Sequence, residues 1–141
     1  MIEYIEHSGE LLALIVRASY AKPGISFFTD TSLSQQIGYM QHPRGKLIEP
    51  HVHKPVTREV HLTQEVLVLR KGRMRVDFYD GDQTYLYSRT LEPGDLILLI
   101  KGGHGFEVLE EIEMFEIKQG PYAGDEDKIR FSGISANQVK E

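Results

Sequence analysis

The sequence predicts an all-β fold, a sandwich or a barrel, and three observations carry that expectation. Apolar and polar residues alternate at period two, as in "RMRVDFY", where Met74, Val76 and Phe78 alternate with Arg73, Arg75 and Asp77. Turn-forming segments such as "AKPG", "EPGD" and "KGGHG" cut the chain into roughly ten short runs, a spacing typical of sandwiches and barrels. No stretch carries a helical period.

The elements follow in order. "LLALIVRASY" and "GISFFTD" are β-prone runs separated by "AKPG", and "QQIGYMQH" alternates before "PRGK". From Glu65 the pattern sharpens: "EVLVLRKG" precedes "RMRVDFY", "YDGDQ" supplies a hairpin turn, and "TYLYSRTL" returns. "EPGD" marks a turn before the apolar strand "LILLI", and after "KGGHG" the run "FEVLEEIEMFEIKQG" reads as two closing strands. Glycines 102 and 103 are read as a turn and not as a phosphate cradle, since no helix start follows them. The expected core is Val66, Leu67, Val68, Leu69, Val76, Phe78, Leu96, Leu98 and Phe115. Residues 1–141 read as one domain, with N-terminal strands in 1–44 and a polar tail, 124–141, that either wraps the outside or hangs free.

Composition narrows the function classes. Net charge is -5 with acids and bases interspersed, so no basic stripe exists to track a phosphate backbone, and nucleic acid is not an expected partner. The absence of cysteine removes thiolate nucleophiles and thiolate metal sites, leaving His and carboxylate as transition-metal ligands. The apolar stretches "LLALIV" and "LILLI" are too short to span a bilayer, and "MIEYIEHSGE" lacks the basic start of a signal peptide, so no membrane association and a cytoplasmic location are expected.

Within this frame the histidines are unevenly spread. Three of the six, His51, His53 and His61, lie close together in "PHVHKPVTREVHLTQEVLVLRKG". In a strand, His51 and His53 would project to one side, roughly 6 to 7 Å apart, as a chelating pair. Glu65 shares parity with Leu67 and Leu69, which puts a carboxylate among inward-facing apolar residues, where it needs a partner. Gln64 would point the other way. His104 follows a glycine turn and shares parity with Phe106 and Val108. Imidazoles and one carboxylate make an N/O site suited to a divalent transition metal: Zn, Fe, Mn or Ni. His7 and His42 belong to no such constellation.

On these residues the chain resembles the cupin superfamily. Gly45, His51 and His53 match the first half of the family's first motif and Glu65 and Gly72 its second half, with eleven residues between His53 and Glu65 where the family usually has three or four. The excess, "KPVTREVHLTQ", reads as an extended loop or hairpin. The second motif is altered: Pro93 and Gly94 precede "LILLIKGG" and His104, while Val108 stands in place of an asparagine. The resemblance spans about residues 45–118 and implies a double-stranded β-helix, the jelly-roll barrel, with His51, His53, Glu65 and His104 as metal ligands. A closer likeness is to small stand-alone cupins linked to bacterial surface-polysaccharide gene clusters.

His61, Arg58, Tyr85 and Tyr87 are assigned to the pocket or to contacts behind the ligands, and Tyr39, Arg44 and Tyr122 are further candidates whose faces the alternation leaves open. The leading expectation is a small metal-binding protein that binds or acts on a small polar or carbohydrate-like molecule. Two alternatives stand beside it. One is a metal-free epimerase or isomerase of sugar nucleotides using a histidine base and a tyrosine acid; the other is a non-catalytic ligand-reading module. Apolar residues at both parities in "EVLVLR" and "LILLIK" leave an outer face that a second subunit or the chain's own N-terminal strands would cover, and a homodimer is the expectation.

Overall fold

A computed structural model describes residues Met1–Glu141 and contains eight strands, one short 3-10 turn and no α-helix. The chain divides into two compact units, one of Met1–Tyr20 with Leu62–Glu141 and one of Ala21–His61. No helix is long and apolar enough to cross a membrane.

The first unit is one curled antiparallel sheet forming a half-barrel. It holds β1 (Ile2–His7), β2 (Glu10–Val16), β5 (Glu65–Tyr79), β6 (Tyr85–Leu91), β7 (Leu96–Leu99) and β8 (Gly103–Lys118). The order is β1-β2-β7-β5-β6, with β8 along the other edge of β5. The two runs expected on either side of Gly72 are a single 15-residue strand, and the two expected closing strands are the single 16-residue β8. Gly72, at φ 81°, does not end the strand but bends it: the β5–β8 register slips between Leu69 and Met74, where the ribbon turns over. The first half of β5 therefore pairs with β7 and the second half with β6.

Inside the curl lie Leu67, Leu69, Met74, Val76 and Phe78 of β5, packed with Ile5, Ile15, Leu91 and Ile97. Val66 and Leu98 face the other way and are buried as well, next to Leu14 in the same cross-strand row. Val68 and Leu96 are half-buried. Phe115 is the correction to the expected core: it is 56% exposed, because it pairs with Val68 on the outer face, where the Arg70 guanidinium stacks on its ring.

One rim of the half-barrel is tied shut. The Tyr87 hydroxyl bonds the backbone of Glu6, Arg89 reaches Glu3, and Arg17 bonds both the Thr90 carbonyl and the buried Asp95. The tail wraps the unit: the Lys140 carbonyl accepts from the Ser88 amide at 2.6 Å, and Phe131 packs edge-on against Tyr79. The other rim is β8, whose far edge carries no strand.

The second unit contains the hairpin of β3 (Gly24–Phe27) and β4 (Gly38–Gln41), followed by an extended segment without regular structure. None of its residues is fully buried.

Candidate functional site

Glu65 is where the first unit brings chemistry together. It opens β5 on the inner face, 7% exposed, as its parity with Leu67 and Leu69 requires. Its register partner is Lys118, whereas His104 pairs with Phe78, thirteen positions away along β5. In a straight ribbon that offset would be ~43 Å. The bend at Gly72 reduces it to contact, with His104 Nε2 3.4 Å from Glu65 Oε2. Lys118 Nζ stands 3.8 Å from the other oxygen, Oε1, and 4.0 Å from Asp127 Oδ2, which also accepts from the Thr63 hydroxyl at 2.9 Å.

The electrostatics follow from this placement. The His104 ring aimed at the carboxylate holds the Glu65 pKa below the ordinary range, against the opposing effect of burial, with the charges of His104, Lys118 and Lys128 adding to the lowering. A carboxylate with a lowered folded-state pKa contributes stability that is complete above its unfolded value, about 4.3, and is lost as pH falls through the folded value. The stability difference between the protein and Glu65→Gln is therefore expected to shrink as pH falls below about 5. Urea midpoints from pH 7 to pH 3 measure it, and a gap that widens on acidification would contradict the assignment.

The other predicted residues stand as follows. His51 and His53 lie on no strand, contrary to the expectation, because Pro50 and Pro55 interrupt any ladder there and Val52 is 90% exposed. They still form a pair, with ring centroids 5.1 Å apart at 71°. His51 Nδ1 is 2.9 Å from the Glu49 carbonyl; an oxygen that can only accept requires the proton on Nδ1 and leaves Nε2 a free lone pair in the neutral ring. His61 is exposed, 3.7 Å from Glu59, and Arg58 is exposed as well. Tyr87 spends its hydroxyl on the Glu6 backbone, and Tyr85 spends its own on Ser88 and the Lys140 amide. Within either unit, no three His, Asp or Glu side chains converge as a metal-binding group.

Lys118, Asp127 and Thr63 are the members of the Glu65 cluster that sequence reasoning missed. A continuous β8 would have revealed Lys118, because it faces Glu65 across the ladder.

Comparison with protein-family models, with curated proteins and with solved structures gives no match.

Proposed function

We propose that the chain is a small metal-binding protein of the cupin type, a jelly-roll barrel in its full form, that binds or acts on a small polar or carbohydrate-like molecule. The observation that carries this reading is the Glu65–His104 pair. Its separation, 3.4 Å between Nε2 and Oε2, is long for a direct hydrogen bond and equals the spacing, about 3.4 Å, of two neighbouring ligands on a tetrahedral ion bound at 2.0 to 2.1 Å. The donor chemistry fits Zn, Fe, Mn or Ni, with Glu65 ionised and its second oxygen steadied by Lys118.

The motif assigns His51, His53, Glu65 and His104 to a single ion, and the geometric support is internal to each pair. His51 has the tautomer a ligand needs, fixed by the Glu49 carbonyl as backbone oxygens fix metal-bound imidazoles elsewhere. When bound, such a metal polarises an oxygen of the ligand molecule as a Lewis acid. Phe106 stands beside His104, ring centroids 5.4 Å apart, and Lys118 sets an ammonium next to the carboxylate.

Elemental analysis of untagged protein tests the reading, repeated on Ala variants of His51, His53, Glu65, His104 and His61. The four assigned ligands should each lose metal by at least about tenfold in affinity, and His61→Ala should stay near normal. Unaltered metal content in His51→Ala and His53→Ala would overturn the proposal.

A second reading rests on the same pair. A buried carboxylate orienting an imidazole is also the arrangement of a general base, which would serve a metal-free isomerase. That reading requires metal-free protein whose activity chelators leave unchanged.

A further inference from the structure

Two surfaces of this chain lack a strand partner. The first is the free edge of β8, sixteen residues long and without a strand beyond it. An edge of that length, with Phe106 at 41% and Phe115 at 56% exposure on its opposite faces, is a template for another strand. The second is Val56–Leu62, "VTREVHL". Val56, Val60 and Leu62 share one parity with Arg58, and Thr57, Glu59 and His61 the other, which is the alternation of a half-buried strand. The segment lies between Pro55 and β5, contains no proline itself, and has no strand partner; all seven residues are exposed.

Charge selects the pairing. β8 carries Glu107, Glu110, Glu111, Glu113 and Glu116 against Lys118. Glu110, Glu111 and Glu107 are engaged by Arg73, Lys71 and Arg75 of β5, and Glu113 and Glu116 are in no ion pair within the chain. Two β8 edges laid together would set glutamates against glutamates, which is destabilising. Val56–Leu62 holds Arg58 and the single carboxylate of Glu59, with Lys54 just before it, so it sets far less negative charge against the edge than a second β8 would. A second copy would offer each surface the partner it lacks.

We propose that Val56–Leu62 of one chain adds as a strand to the β8 edge of a second copy, and reciprocally, closing a two-fold dimer by strand addition. The inference is independent of the metal reading.

The chain has no cysteine, so single cysteines report contacts cleanly. A Val60→Cys preparation is mixed with Glu107→Cys, Glu111→Cys or Glu113→Cys in turn, with a chelator present, and oxidised gently. All four positions are exposed, and Glu107→Cys leaves Arg75 its pair with Asp77, so folding is not at stake. The expected result is a dimeric mass by light scattering at micromolar concentration and a mixed disulfide with at least one β8 cysteine. A monomeric mass, a dimer without any mixed disulfide, or disulfides formed only between two β8 cysteines would each overturn the proposal.

Discussion

Replacing Gly72 by alanine is expected to destabilise the first unit by about 2 to 5 kcal/mol. Gly72 has φ 81°, a left-handed conformation that costs an L-residue about 1 to 2 kcal/mol. The new methyl would also overlap the Glu111 carbonyl oxygen and stand 2.8 Å from the carbon and 2.9 Å from the Glu110 oxygen. Backbone cannot yield as a side-chain tip does, and overpacking of this kind adds about 1 to 3 kcal/mol. Gly81→Ala is the control, because a Cβ there meets nothing within 4 Å, and its cost should stay below about 1 kcal/mol. Urea unfolding of the two variants beside the wild type makes the measurement; a Gly72→Ala loss under 1 kcal/mol would show that the ribbon can bend elsewhere. The consequence reaches the site, since the bend at Gly72 is what carries Glu65 to His104.

That same glycine marks where the sequence stops being legible. Period-two alternation reveals the strands and the inward face of Glu65 correctly, because both depend on nearest neighbours along one strand. Gly72 reads as a turn, the usual meaning of a glycine between two alternating runs, and the two halves of β5 appear as separate strands. The error propagates to β8, hides the pairing of Lys118 with Glu65, and leaves Phe115 assigned to the core when it faces outward. β1 escapes notice since its Ile2, Tyr4 and Ile5 break strict alternation, a break the structure accommodates with an irregularity between Ile5 and Glu6. For His51 and His53 the spacing is informative and the strand is not: residue separation is visible in sequence, whereas a ladder partner is a long-range fact.

Asp95→Ala is expected to cost about 2 to 4 kcal/mol, because it removes the acceptor of three hydrogen bonds. Asp95 is 2% exposed, at the end of the "EPGD" turn. One oxygen accepts from the Ala18 amide at 2.8 Å; the other accepts from Arg17 Nη1 at 2.8 Å and from the Glu92 amide at 2.9 Å. Its own carbonyl accepts from the Leu69 amide at 3.0 Å, so the residue fastens the end of β2, the turn and the middle of β5 together. Alanine leaves two backbone donors and a guanidinium short of an acceptor in a part-buried place, at about 1 to 3 kcal/mol for each group left unsatisfied. Asp95→Asn keeps one carbonyl acceptor and loses the charge, and should fall between the two. The exposed pair of Arg73 and Glu92 provides the contrast: Glu92→Ala removes a 3.1 Å ion pair of the same chemistry from solvent and should cost under about 1 kcal/mol. Equal losses for Asp95→Ala and Glu92→Ala would overturn the assignment of Asp95 as the buried fastening of the turn.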